Sequence, residues 1–190
     1  MATVTIFGTG TMGSAIAGIL AAGGASIQHI GSDGGQTITG EIVVLAVPYP
    51  SLAVIASTYA SQLEGKIVID ITNPVNFETF DSLVVPEGSS AAAQLAALLP
   101  ASTVLKAFNT NLAATLSTRK LGNADTTVLV AGDDDASKKT VVDLIIAGGV
   151  KAIDAGSLKR AHELEALGFL QLTLASSEKI TWTGGFAVIN

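Results

Sequence analysis

Apolar residues recur along this chain in two alternating rhythms. Short β-rich apolar runs stand at 4–7, 42–47, 67–71, 103–107 and 126–131, as expected of parallel strands buried on both faces. Between them, apolar residues fall three and four apart. Met12, Ile16, Ile19 and Leu20 predict a helix over 12–22. Further helices are expected over 52–62, from a cap at Ser89 or Ser90 to 99 with Pro100 as the stop, over 136–147, and over 158–177. Two more strands are expected at 26–30 and 150–155. The segment between 30 and 42 is too short for the crossover helix that parallel strands normally need, so a loop is expected around 34–41. At the end, β-rich runs at 180–183 and 186–189 flank Gly184 and Gly185, which predicts a hairpin or a bent edge strand.

This alternation predicts an α/β fold of Rossmann type: a doubly wound, mainly parallel sheet with helices on both faces, followed by a short C-terminal helix plus edge strand. One domain is expected over 1–190, with a dinucleotide-binding core over 1–155 and a C-terminal helix and β tail over 156–190. In such folds a ligand lies across the carboxyl ends of the strands. The segments that matter are then 8–13, 32–33, 47–49, 72–74 and 106–111.

The first of these segments carries chemistry. Gly8, Thr9, Gly10, Thr11, Met12 and Gly13 form Gly-x-Gly-x-x-Gly between a strand and a helix. Gly8 makes the turn, Gly10 lets a pyrophosphate approach the backbone, and Gly13 lets helix and strand pack closely. The free N–H groups of the helix then face the phosphates.

Composition narrows the partners. Ten Lys and Arg stand against sixteen Asp and Glu, a net charge of -6, which gives no basic footprint for nucleic acid. The absence of cysteine removes disulfides, thiolate nucleophiles and Cys-ligated metals. The uncharged stretch 42–63 is interrupted by Pro48 and Pro50, so strand, turn and helix are expected there, with no membrane span. Met1 runs directly into the first strand, and a cytoplasmic protein is expected. Asp133, Asp134 and Asp135 precede a helix and read as capping residues, with no metal site expected.

With Val47-Pro48, Asp70-Ile71-Thr72-Asn73-Pro74, Lys106-Ala107-Phe108-Asn109-Thr110 and Asp154-Ala155-Gly156-Ser157-Leu158 added to the glycine motif, the chain resembles NADP oxidoreductases dependent on coenzyme F-420, a deazaflavin. The resemblance covers nearly the whole chain. It implies hydride transfer between the nicotinamide and a flavin-like ring, and a small-molecule redox acceptor as partner. Beyond the glycine loop, the candidate cofactor-binding residues are Ser32, Asp33, Ala46, Val47, Pro48, Tyr49, Asn73, Pro74, Ala107 and Asn109. Candidate catalytic residues are Lys106, Asn109 and His162. Lys106 either orients the acceptor or is an end-of-strand lysine whose amine reaches water. His162 either reaches the acceptor or caps a helix at the surface. Asn73 and Asn109 offer amides to the nicotinamide or simply make turns.

The coenzyme is expected to be NADP, with NAD the alternative. Asp33 falls 20 residues after Gly13, where an acidic group accepts from the ribose of NAD, whereas the family's turn is Gly-Ser-Arg. Gly31 and Ser32 match it and Asp33 replaces the arginine. Two other functions are open: an NAD(P) sensor acting through a partner, and a small imine reductase. Met12-Gly13-Ser14-Ala15-Ile16-Ala17-Gly18 is similar to pyrroline-5-carboxylate reductase, although only about 35 residues follow Ala155, too few for that family's helical domain. An enzyme with an open acceptor side is expected to complete its pocket as a homodimer.

Overall fold

The computed structural model describes residues 1–189. Its strands and helices alternate as the hydrophobic pattern requires: β1 (Thr3–Phe7), α1 (Thr11–Ala22), β2 (Ser26–Ile30), β3 (Ile42–Leu45), α2 (Ser51–Thr58) and α3 (Ala60–Leu63). β4 (Ile67–Asp70), α4 (Ala91–Leu98) and β5 (Thr103–Lys106) follow. Next come α5 (Ala113–Thr118) and a hairpin of β6 (Lys120–Leu121) and β7 (Ala124–Asp125). β8 (Thr127–Gly132), α6 (Asp135–Ala147), β9 (Lys151–Gly156), a 3-10 turn (Leu158–Arg160) and α7 (Ala161–Ser176) complete the order.

Seven strands form one sheet in the order β2-β1-β3-β4-β5-β8-β9. The pairs from β2 to β5 are parallel, β8 runs antiparallel to β5, and β9 is parallel to β8. Successive strand residues point to opposite faces, and two cores result. Ile6, Val44, Ile69 and Leu105 pack with Ile16 and Ile19 of α1 and Val141 and Ile145 of α6. Phe7, Val43, Val68 and Val104 pack on the other face with Leu52 and Ile55 of α2 and Leu95 of α4. The Rossmann-type sheet with helices on both faces is therefore present.

The expected trimmed connection is present as well. Residues 31–41 contain no helix, and Ile38 from this loop is buried in the core beside Tyr59. The amides of Gly35 and Ile38 donate to the Tyr59 hydroxyl and to Gln62 Oε1. Tyr59, between α2 and α3, and Gln62 of α3 thus satisfy amides of a loop that has no backbone ladder of its own.

The C-terminal expectation holds for the helix and needs correction for the β tail. The last helix, α7, has 16 residues and is the longest in the described chain. No strand follows it among the described residues; the segment holds a turn, with the Gly184 amide donating to the Thr181 carbonyl, and irregular chain. The physical reason is the partner it finds: the Phe186 amide donates to Gln171 Oε1 of α7, so the segment is tied to a helix side chain and has no strand to pair with. Trp182 is consequently 55% exposed. Residue 190, the last of the expected β tail, lies outside the described residues. Among those residues, no helix is long and apolar enough to cross a membrane.

Candidate functional site

The strand order reverses beside β1: β2 lies on one side of it and β3 on the other. A crevice is expected at that reversal, above the carboxyl ends. The structure has a cleft of about 730 Å³ there. Its floor is Gly8, Thr9 and Gly10 after β1; Ala46, Val47 and Pro48 after β3 form one wall. Gly31, Ser32 and Asp33 after β2 close the far end.

The glycine loop is shaped by close approach. Gly8 has φ +108, and a Cβ there would stand 2.2 Å from the Ala46 carbonyl oxygen. A Cβ on Gly13 would stand 2.7 Å from the Gly8 carbonyl oxygen. Gly10 differs, because nothing lies within 4 Å of its Cβ position. It is the N-cap of α1, no side chain caps that end, and the first turn holds no acidic residue. The first amides of α1 are thereby left without side-chain acceptors, and their dipole favours an anion. Thr11, Met12 and Gly13 form this first turn. His29 Nδ1 lies 3.1 Å from the Gly8 carbonyl oxygen and braces the loop from β2.

Some lining residues escaped the sequence reading. Ser51, Val54, Ile55 and Thr58 of α2 line the cleft, as does Tyr59. The α2 residues fall at the i, i+3, i+4 and i+7 spacing of one helix face, a readable signal. The Tyr59 ring packs edge-on against Phe7 with centroids 4.9 Å apart. Of the described residues lining the cleft, Asp33 alone carries a charge.

A second group of residues lies at the ends of β4 and β5. Asp70 and Lys106 are register partners on these strands. Lys106 is 0% exposed, and its ammonium is 2.8 Å from Asp70 Oδ2 and 2.8 Å from Glu165 Oε1 of α7. It also donates to the Thr72 carbonyl. These three contacts use the three donors an ammonium has. Glu165 Oε2 accepts from the Ala91 amide at 2.9 Å, and Oε1 from the Ala92 amide at 3.3 Å, so one carboxylate serves both Lys106 and the start of α4. Burial pushes the Glu165 carboxyl above its usual range, against the opposing pull of Lys106. Burial, and then the charges of Glu165 and Asp70, raise the Tyr49 phenol; its hydroxyl donates to Gln94 at 2.6 Å. Tyr49 lines a separate small hollow with Pro50 and Leu52.

Three residues beyond Asp70 and Lys106 stand Asn73 and Asn109, joined reciprocally. Asn109 Nδ2 donates to Asn73 Oδ1 at 2.8 Å, and Asn73 Nδ2 donates to the Asn109 carbonyl at 2.7 Å. Asn109 Nδ2 also donates to the Leu164 carbonyl of α7 at 2.8 Å. Asn109 is buried and its Oδ1 has no partner, whereas Asn73 is half-buried. Pro74 and Ala107 are buried beside them. His162 is exposed, its Nδ1 3.0 Å from the Ser89 carbonyl oxygen. Asp134 caps α6 by accepting from the Ser137 amide, and Asp133 accepts from Leu158. Gly8, Thr9, Gly10, Ser32, Asp33 and 46–48 are thus brought to one cleft, Thr11, Met12 and Gly13 follow in α1 without lining it, and the Asn pair and Lys106 lie two and three strands away from β1.

Known proteins share this fold. No protein-family model matches the chain. A curated relative, the F420-dependent NADP reductase of Methanocaldococcus jannaschii, is 33% identical over 150 residues, which are 76% of this chain and 66% of the relative. A solved structure from Arthrobacter sp. FB24, provisionally named an F420-dependent NADP reductase, superposes with a TM-score of 0.86 at 25% identity and covers all of both chains. The chain is similar to F420-dependent NADP reductases in both sequence and fold. The rat metalloreductase STEAP3 is 38% identical over 131 residues, 67% of this chain and 25% of that protein. The chain therefore spans slightly under two thirds of the archaeal reductase's length and a quarter of the metalloreductase's. Where the resemblance predicts a Gly-Ser-Arg turn, the chain carries Gly31-Ser32-Asp33, and Asp33 lines the cleft.

Proposed function

We propose that this chain is an oxidoreductase that carries hydride between NADP and a deazaflavin or flavin-like acceptor. The observation that supports it best is the full-length match to an F420-dependent NADP reductase fold, with a cleft at the strand-order reversal whose glycine loop has room for a pyrophosphate at Gly10. The cleft fits a dinucleotide on physical grounds. The amides at the start of α1 would hold a pyrophosphate, the wall at 46–48 and the α2 face would flank an adenosine half, and the ends of β4 and β5 would receive a nicotinamide half. When bound, the reduced nicotinamide supplies the hydride that the acceptor ring takes up. The chain's own contribution is to bind and align, which accounts for much of the rate of such transfers. No side-chain acid is needed at the acceptor, in keeping with a Lys106 whose donors are all engaged.

One observation favours NAD as a second coenzyme reading: among the described residues, the only charge lining the cleft is the carboxylate of Asp33, where a 2′-phosphate would need a cation. The exposed Leu170, Trp182 and Phe186 of the C-terminal segment support a homodimer around the acceptor side, which sedimentation equilibrium would test.

The deciding experiment mixes the protein anaerobically with NADPH or NADH and with deazaflavin, riboflavin, FMN, FAD or a cyclic imine, following the absorbance of the reduced nicotinamide. Oxidation above a protein-free control is expected with NADPH and deazaflavin. Nucleotide binding without turnover on any acceptor would overturn the reductase reading in favour of a sensor, and turnover only with cyclic imines would favour an imine reductase.

A further inference from the structure

The two strands β4 and β5 end in the same way. Each places a charged residue at its last position, Asp70 and Lys106, and an asparagine three residues later, Asn73 and Asn109. The charged pair lies in the buried layer and the amide pair follows it in the chain. One helix touches both layers: α7 supplies Glu165 to Lys106 at 2.8 Å and the Leu164 carbonyl to Asn109 at 2.8 Å. One turn further along α7, a Cβ on Gly168 would stand 2.3 Å from Asn73 Oδ1. The amide pair is therefore enclosed by α7 and by the strand ends that Lys106 ties to it. The backbone between the layers is held out of its usual range as well. Phe108 is fully buried with φ +63, and the Asn109 amide donates back to Ala107 at 2.8 Å. A bulky residue takes this conformation only where its surroundings impose it.

The pair has unequal members. Asn109 is buried and spends both Nδ2 hydrogens on Asn73 and Leu164. Asn73 is half-buried and spends one N–H and one lone pair on Asn109. It retains one donor and one acceptor on a rigid frame. That is the complement of a primary carboxamide, which offers the same two functions in the same plane. Resting on the coenzyme reading above, we propose that the Asp70–Lys106–Glu165 triad is a positioning device: it locks the ends of β4 and β5 to α7, and through Asn109 it holds Asn73 to bind the carboxamide of the coenzyme's nicotinamide.

Glu165→Gln, Asn73→Ala and the double variant test this. In Glu165→Gln the new amide would face the Lys106 ammonium with one fewer charge while keeping an acceptor for α4. Each protein is titrated with NADPH and NADH, and with the matching fragments lacking nicotinamide, 2′-phospho-ADP-ribose and ADP-ribose. Hydride transfer to deazaflavin gives kcat and KM. The expected result is fragment affinity within twofold of wild type in all variants, with at least a tenfold loss in kcat or in whole-coenzyme affinity for each single variant. The double variant should lose no more than Asn73→Ala alone, because Glu165 acts through Asn73, and Glu165→Asp should recover part of the loss. Losses that multiply, equal weakening of coenzyme and fragment, or unchanged kcat and affinity would overturn the proposal. Should Glu165→Gln fail to fold, Gly168→Ala displaces Asn73 without touching a charge and must give the same selective loss. A wild-type chain that binds neither coenzyme nor fragment would overturn the coenzyme reading and this inference together; wild-type turnover with unaffected variants would overturn the inference alone.

Discussion

Gly10→Ala separates the two jobs of the glycine loop. At Gly10 the backbone has φ -73 and ψ -178, ordinary extended values, and nothing lies within 4 Å of the point where an alanine methyl would stand. The free protein should lose only about 1 kcal/mol or less, the cost of alanine at an N-cap. The methyl occupies the path by which a pyrophosphate approaches the α1 amides. Losing one charge-assisted amide bond, about 1.5–3 kcal/mol, weakens binding roughly 10- to 100-fold. Thermal unfolding with and without NADPH reads this directly. At 100 times its Kd a ligand adds about 2.7 kcal/mol, which in a domain of this size raises Tm by roughly 5–10 °C. At the same concentration Gly10→Ala should keep only about a sixth to a half of that stabilisation. Gly8→Ala is the contrast: its Cβ meets the Ala46 carbonyl at 2.2 Å at φ +108, so the free protein itself should melt several degrees lower. A Gly10→Ala protein with the full wild-type shift would refute the placement of the pyrophosphate.

Three further outcomes follow from the same geometry. Asp33→Arg replaces the single charge lining the cleft among the described residues and should shift the NADPH-to-NADH ratio of kcat/KM at least tenfold toward NADPH; an unchanged ratio would mean that Asp33 does not face the 2′ position. Burial raises the Glu165 carboxyl above its ordinary value of 4.5, so its folded form holds the proton more tightly than the unfolded chain. That stability is fully present below pH about 4.5 and is lost as pH rises through the raised value. Urea unfolding should therefore show the advantage of wild type over Glu165→Gln shrinking as pH rises from about 4.5; an advantage that grows would contradict the raised carboxyl. Lys106→Met removes the cation from two buried carboxylates and should cost about 3–5 kcal/mol; Lys106→Met as stable as wild type in the same urea assay would mean the triad is not held as charges.

Local pattern carried most of the frame. Strands and helices followed from apolar period, caps and stops, since those signals act within one turn or one pleat. The loop in place of a crossover helix was legible from its length alone. Segments without a full period were not: α5 has six residues, and β6 and β7 have two each. The antiparallel course of β8 likewise has no signature in its own residues.

The sequence by itself determined the glycine loop, the order of elements and the strand ends where function gathers, because each rests on contacts between near neighbours in the chain. Only the tertiary structure decided what those strand ends do. Lys106 reads as an end-of-strand lysine until Asp70, 36 residues away, and a helix more than fifty residues downstream close over it. Glu165 is one of two acids in a largely apolar helix until Ala91, 74 residues earlier, offers its amide. The C-terminal β-rich runs favour a strand, but a strand forms only beside a free partner edge, and Gln171 captures the Phe186 amide there. Burial of charge and pairing of edges are settled between segments distant in sequence, and no local propensity encodes that meeting.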